Sequence, residues 1–112
     1  MSEATNAQTD LGYPTRAFDL IDVQPGGVVS RTILKKQTGT VTVFAFDAGE
    51  GLSEHTTPFD ALIMSMDGEA DITISGESHK LKTGDILKLP AGEPHAVKAV
   101  TPFRMLLIMI RE

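Results

Sequence analysis

The sequence predicts a single small all-β domain, either a barrel or a sandwich, and three observations lead to that class. The chain has 112 residues, which is the usual size of one domain. Its apolar residues fall in short runs that are rich in β-branched and aromatic side chains. Turn signals separate these runs every several residues, and no stretch has the period of a long amphipathic helix. We therefore expect about nine or ten short strands and no helix longer than two turns.

The predicted elements follow one another from residue 28 to the end of the chain. Residues 1–12 are polar and lack periodicity, so we expect a flexible N-terminal tail there and one domain over 13–112. Asp67-Gly68 is a strong hairpin signal and predicts paired strands on its two sides. Ser75-Gly76, Thr83-Gly84 and Pro90-Ala91-Gly92 mark the later turns. The predicted strands are 28–36, 40–46, 59–66, 69–75, 78–82, 86–89, 95–100 and 103–110.

The composition excludes several classes of function. A net charge of −5, without a basic stripe, argues against a nucleic-acid partner. The absence of cysteine excludes disulfides, thiolate metal sites and a cysteine nucleophile. The N-terminal ten residues lack the basic and apolar parts of a signal peptide, and the longest apolar run, 105–110, is too short to span a bilayer. We therefore expect a soluble cytoplasmic protein with no membrane partner.

Two predicted strands lack the alternation of a sheet with one solvated face. Residues 62–64 and 105–110 are apolar at consecutive positions, so both faces of these strands need cover. With no helices to supply it, we expect a second copy of the chain to do so and the protein to be a homodimer. The alternative cover is the N-terminal segment folding back over the sheet.

Two spaced motifs carry the chemistry. The first is Gly49-x5-His55-x-Thr57-x3-Ala61-x6-Gly68, and the second is Gly84-x5-Pro90-x-Gly92-x2-His95-x3-Ala99. Over about residues 40–110 the chain resembles the cupin superfamily, whose motifs are G-x5-H-x-H-x3,4-E-x6-G and G-x5-P-x-G-x2-H-x3-N. The resemblance implies a double-stranded β-helix, a jelly-roll-like barrel open at one end. Residues two apart on a strand share a face, so we expect His55 and Thr57 to point inward, with His95 on the next inward-facing strand.

The sequence departs from the cupin pattern at metal-ligand positions. The resemblance implies a divalent ion, such as Mn, Fe, Ni or Zn, held by four side chains, of which only His55 and His95 remain. Thr57 stands at the second histidine and Ala61 at the glutamate. Since a catalytic metal normally has about three protein ligands, we expect weak binding at most. Asp60, next to Ala61, is a less favoured third ligand because alternation points it away from the pocket.

The remaining pocket residues suit an organic ligand. The expected lining is His55, Thr57, Ala61, His95, Phe44, Met64 and Met105, and methionine and phenylalanine are typical of apolar small-molecule sites. The first hypothesis is a stand-alone cupin that binds a small molecule, with a divalent metal weakly held by the two histidines. The alternative, from the resemblance, is a metal-dependent dioxygenase, isomerase or decarboxylase. A third is a metal-free epimerase or isomerase with His55 or His95 as general base.

Overall fold

The structure, a computed structural model that describes residues 11–112, contains two antiparallel sheets. A 3-10 helix, Ala17–Leu20, comes first. The strands that follow are β1 (Val28–Lys36), β2 (Gly39–Phe46), β3 (Gly51–His55), β4 (Asp60–Asp67), β5 (Ala70–Ile74), β6 (Glu77–Leu81), β7 (Ile86–Leu89), β8 (His95–Ala99) and β9 (Phe103–Ile110). One sheet has the order β1-β2-β9-β4-β7 and the other β3-β8-β5-β6. The all-β prediction is therefore confirmed.

The main hydrophobic core lies between the two sheets. It consists of inward side chains from both of them, with Phe46, Ile63, Ile72, Phe103 and Met105 almost fully buried. Phe46 packs against Phe103 with ring centroids 5.6 Å apart. Since each strand alternates, the inward side chains of β4 are its odd-numbered residues up to Ser65. This core closes one part of the barrel and leaves a cavity in another.

Two details of the strand prediction are corrected. The short segment Gly51–His55 is a strand that was not among the predicted ones. It is mostly exposed and shows no apolar alternation, which is the signal on which the prediction of strands depended. Asp67-Gly68 is a turn but not a hairpin, since β4 pairs with β9 and β7 whereas β5 pairs with β6 and β8. The dipeptide predicts a local change of backbone direction, but which strands pair depends on residues that are distant in sequence.

Gly68 is required where the chain crosses from one sheet to the other. Its φ is +91°, and a Cβ there would collide with the carbonyl oxygen of Pro102 and lie 2.9 Å from Thr101 Oγ1. Gly84 has nearly the same φ, +90°, but nothing within 4 Å of such a Cβ. The two glycines therefore share the conformational requirement and differ in the space around them.

We expect Gly68→Ala to lower the free energy of unfolding by about 2–5 kcal/mol, because backbone strain and overpacking add. Gly84→Ala is the matched control. Backbone strain alone should lower its free energy of unfolding, by about 1–2 kcal/mol. Thermal melts measure the difference, at roughly 4–8 °C per kcal/mol for a domain near this size. Equal melting temperatures for the two variants would contradict the crowding seen at Gly68.

The N-terminal segment covers part of the outer face of the five-stranded sheet. Leu20, Ile21 and Val23 pack in a second cluster with Val43 and Ala45. Two arginines of the sheet hold this segment by its backbone. Arg31 donates from an Nη to Leu20 O at 2.7 Å, and Arg104 donates from Nε to Ile21 O at 2.9 Å. The alternative that we considered, an N-terminal segment that folds back, is thus realised over this half of the sheet.

The other half of that outer face is apolar and only partly buried, with Val41 and Ile108 half-buried. Strand pairing aligns one row of side chains across four strands, which we call the exposed row: Leu34, Val41, Ile108 and Leu62. Leu34 is 54% exposed and Leu62 is 37% exposed. This half of the face is where the expected homodimer contact has room to form.

Two further expectations concern the N-terminal tail and membrane-spanning helices. Residues 1–10 of the expected tail lie outside the described residues, and Leu11 is exposed. Within residues 11–112, no helix has the length and apolar character needed to cross a membrane.

Candidate functional site

A cavity of about 290 Å³ lies between the sheets and contains both motif histidines. Its size is near the lower end of the range for small-molecule sites. The lining is mostly aliphatic: Leu52, His55, Thr56, Thr57, Ala61, Ile63, Leu89, His95, Val97, Met105, Leu107 and Met109. A wider groove of about 800 Å³ runs beside the N-terminal segment, but it is more open and contains neither histidine. We therefore take the smaller cavity as the candidate site.

A β-bulge in β3 turns His55 toward the cavity. Leu52 pairs with Val97, and the next registered pair is His55 with His95, so β3 has one more residue than β8 between these pairs. Without the extra residue, His55, three positions after the inward Leu52, would face outward. The bulge thus places the two imidazoles edge to face, with ring centroids 4.5 Å apart.

The two motifs are also joined by the backbone. Gly92 N donates a hydrogen bond to Thr57 O at 2.8 Å. This bond links the turn before His95 to the chain just after His55. The pairing of His55 with His95 and this bond hold both motifs at the same end of the cavity, as the spaced glycines and histidines predicted.

Backbone carbonyls orient both rings. His55 Nδ1 lies 2.7 Å from Ser53 O, and His95 Nδ1 lies 3.3 Å from Glu93 O. Because a carbonyl oxygen only accepts, Nδ1 is the protonated nitrogen in each ring. In the neutral ring Nε2 then carries a lone pair and is free to accept a proton, a hydrogen bond or a metal ion.

The environment of His95 favours its neutral form. Burial of the ring lowers the pKa of His95, and the charge of His55 lowers it further, while the hydrogen bond to Glu93 O acts in the opposite direction. His95 is 7% exposed. A histidine with a lowered pKa resists protonation in the folded state. Its contribution to folding stability therefore falls as the pH drops through the pKa of the unfolded chain, near 6.5.

Thr57 and Ala61 both line the cavity, where the sequence placed them. Ala61 is 3% exposed and faces inward from β4. Thr57 Oγ1 accepts a hydrogen bond from Phe59 N at 3.3 Å, which leaves its own proton available to donate. Together with the two histidines, these positions surround one space.

Two expected pocket residues lie elsewhere. Met64 is on the outward face of β4, because the inward residue is its neighbour Ile63. Phe44 belongs to the core and stacks on Phe46 with centroids 5.9 Å apart, but it does not line the cavity. Met105 lines the cavity as expected. Met64 and Phe44 were predicted as pocket residues from their apolar character alone. Strict alternation from Ala61 would have predicted Ile63 instead.

Several lining residues were not singled out from the sequence. They are Leu52, Thr56, Leu89, Val97 and Leu107. Val97 and Leu107 had a usable signal, since each lies two residues from an inward position, His95 or Met105. Leu52 had none, because the bulge changes the alternation between it and His55.

The residues present do not form a complete divalent-metal site. Asp60 Oδ1 accepts a hydrogen bond from Ala91 N at 3.0 Å, and Asp60 lies on the outward side of β4. Within residues 11–112, no group of three or more histidine and carboxylate side chains is arranged to hold a metal ion. His55 and His95 remain two imidazole ligands without a third, one fewer than a catalytic metal site ordinarily has.

Comparison with known proteins gives one family. The Cupin domain family model matches residues 42–110. A conserved protein of unknown function from Streptococcus pyogenes is 31% identical, with 92% of this chain and 90% of that chain covered and a TM-score of 0.88. A cupin superfamily protein from Desulfitobacterium hafniense is 28% identical, with 92% and 94% covered and a TM-score of 0.87.

A third structure, a Cupin 2 conserved barrel domain protein from Leptotrichia buccalis, is 35% identical, with a TM-score of 0.82. The alignment covers 84% of this chain and 46% of that one. No curated protein matches the chain significantly. The family match spans more than half of the chain and includes both motifs with His55 and His95. The two-sheet barrel is therefore a double-stranded β-helix, and the chain belongs to the cupin superfamily.

Proposed function

We propose that this cupin domain binds a small organic molecule in the cavity beside His55 and His95. The observation that carries the proposal is an apolar cavity of about 290 Å³ with two oriented imidazoles and an incomplete set of metal ligands. Apolar lining with a few convergent polar groups is the usual character of a small-molecule site. Any divalent ion at the two histidines is held weakly in this proposal.

The metal-dependent enzyme is the alternative, and it needs ligands that the cavity does not present. Thr57 offers only a hydroxyl, and Ala61 offers no donor. Asp60 would have to leave the backbone of Ala91 and reach the opposite side of its strand. Tight binding of one metal equivalent by the unaltered protein would favour this alternative.

A metal-free enzyme with a histidine general base has one specific observation in its favour. The usual orienting carboxylate is replaced by a backbone carbonyl on each ring, Ser53 O on His55 and Glu93 O on His95. In its neutral form each ring therefore has its lone pair on Nε2, which is the atom that a general base would use. Turnover of a cavity ligand that stops when a histidine is replaced would establish this second candidate.

A fragment screen by NMR tests the binding function. We expect small apolar fragments to shift amide resonances of cavity residues such as Val97 and Leu107. Ala61→Phe should abolish these shifts because the new ring occupies the cavity. Ala96→Phe is the matched control, since Ala96 lies between two inward residues of β8 and faces outward.

The same screen can also contradict the proposed binding function. Fragments that bind equally well to Ala61→Phe would place the site elsewhere. A well-folded Ala61→Phe spectrum is required for the comparison, because Ala61 lies in the core and overpacking there costs about 1–3 kcal/mol.

A further inference from the structure

The two histidines give the cavity a defined hydrogen-bonding character. Each Nδ1–H is directed at a backbone carbonyl, that of Ser53 for His55 and that of Glu93 for His95. The nitrogen left to meet an occupant of the cavity is therefore Nε2, which in the neutral ring only accepts. The same local arrangement, a ring bonded to the carbonyl two residues earlier, occurs at both positions.

The rest of the lining adds no charge. Among the described lining residues there is no carboxylate, lysine or arginine, and the remaining polar side chains are Thr56 and Thr57. An anionic ligand would find no cation, and a cationic ligand would find no carboxylate. Moving an unpaired charge out of water is costly, so both kinds of ligand are disfavoured.

We propose that the cavity selects uncharged molecules with a hydroxyl or N–H donor on an apolar frame, with the donor bound to a histidine Nε2. This inference rests on the proposed binding function and names the class of its ligand. The donor is matched to the acceptor nitrogens, and the frame is matched to the aliphatic wall. The sulfurs of Met105 and Met109, both in the lining, make an aromatic frame favourable.

His95 contributes more to this selection than His55. His95 is buried, whereas His55 is exposed at the cavity edge. A hydrogen bond in a place that excludes water is stronger, and a buried acceptor left unpaired costs more. A ligand without a donor would leave the His95 acceptor unpaired, and we expect it to bind about tenfold more weakly.

Phenol, anisole and benzoate test the proposal with one ring and three polar groups. Phenol is a neutral donor well below its pKa of about 10, anisole lacks the donor, and benzoate is an anion. Each is titrated by NMR into the full chain at pH 7.5 with a chelator present to remove metal. We expect phenol to bind about tenfold more tightly than anisole, and benzoate to cause no shifts at the cavity.

His95→Asn isolates the acceptor. The asparagine amide keeps a donor near the place of Nδ1–H, but the acceptor Nε2 is lost. The affinity of the variant for phenol should therefore fall to its affinity for anisole. His79→Asn is the matched control on the surface hairpin, where His79 approaches Glu77 at 3.9 Å. It should leave the phenol affinity unchanged. Long-range nitrogen-15 spectra of the free protein should show the proton of the His95 ring on Nδ1 and none on Nε2.

Each other outcome overturns the ligand class. Equal affinity for phenol and anisole, or phenol binding that survives His95→Asn, would remove the donor requirement. Tighter binding of benzoate would reverse the preference while leaving the cavity as a binding site. If none of the three binds but the fragment screen fills the cavity, the ligand class is wrong and the binding function stands. If the screen also fails, both proposals are wrong.

Discussion

The double substitution Thr57→His and Ala61→Glu is expected to raise the affinity for Ni²⁺ or Zn²⁺ by roughly a thousandfold. Both positions line the cavity with His55 and His95, so the new side chains complete a set of four ligands around one space. Four-ligand zinc sites have apparent binding free energies of about 10–16 kcal/mol, roughly 2.5–4 kcal/mol per ligand. Two added ligands therefore supply about 5–8 kcal/mol before any loss to strain, and a thousandfold gain in affinity needs only about 4 kcal/mol of this.

Isothermal titration calorimetry on the unaltered protein and the double variant measures this gain. We expect weak binding by the unaltered protein that a chelator removes easily, and one tight equivalent in the double variant. Thr57→His alone should fall between them. Ala61→Gln combined with Thr57→His is the matched control for Glu, because it has nearly the same volume without the carboxylate.

Two results would contradict this account. One tight equivalent in the unaltered protein would mean that Asp60 or another group moves to the metal, and the metal-dependent enzyme would become the better proposal. A folded double variant with no gain would mean that positions 57 and 61 are not directed at the space between the histidines.

Leu62→Glu is expected to convert a homodimer of about 24 kDa, twice the chain mass of 12.0 kDa, into a monomer. We propose that the second copy covers the exposed row. Burial of such apolar surface contributes about 25 cal/mol per Å². A glutamate there would bury an unpaired charge at a cost of several kcal/mol, which reduces the dimer affinity by roughly a hundredfold or more.

The charges beside the exposed row favour a second copy as the occupant. The neighbouring row on the same face of the sheet begins with Lys36 on β1 and ends with Asp60 on β4, with Gly39 and Ile110 between them. A twofold axis that lies in the interface parallel to the strands would exchange the two ends of the row and bring Lys36 near the partner's Asp60. A self-complementary patch of this kind is what a twofold interface requires.

Analytical ultracentrifugation at micromolar concentration measures the assembly state. Ile108→Glu, at the centre of the exposed row, should dissociate the dimer as Leu62→Glu does. Val100→Glu is the matched control, because Val100 is 43% exposed and lies outside the five-stranded sheet. An unaltered protein that sediments at 12.0 kDa would refute the homodimer.

The fold class could be predicted from local patterns, and the two cupin-like motifs indicated where a site should be sought. Strand alternation and turn residues are local signals, and they located most strands to within one or two residues. The resemblance of the two motifs to those of cupins predicted that His55 and His95 share a pocket, and both residues line one cavity in the structure. The resemblance of the first motif to that of cupins identified Thr57 and Ala61 as the vacant ligand positions.

Strand pairing and the cover of each sheet face could not be predicted from local patterns. Asp67-Gly68 has the local signal of a hairpin, yet β5 pairs with strands later in the chain. The N-terminal segment covers half of the outer sheet face because Arg31 and Arg104 reach its carbonyl groups. These contacts join residues that are distant in sequence, so no local pattern contains them.

The chemistry of the site also depended on tertiary structure. The bulge before His55 is defined by its register against β8, and alternation within β3 alone does not reveal it. The protonated nitrogen of each imidazole is set by a carbonyl two residues earlier, but only the folded backbone brings that oxygen to the ring. The cupin-like motifs identified two histidines as candidate ligands, and the hydrogen bonds of the folded chain indicate that the neutral form of each ring has its acceptor at Nε2.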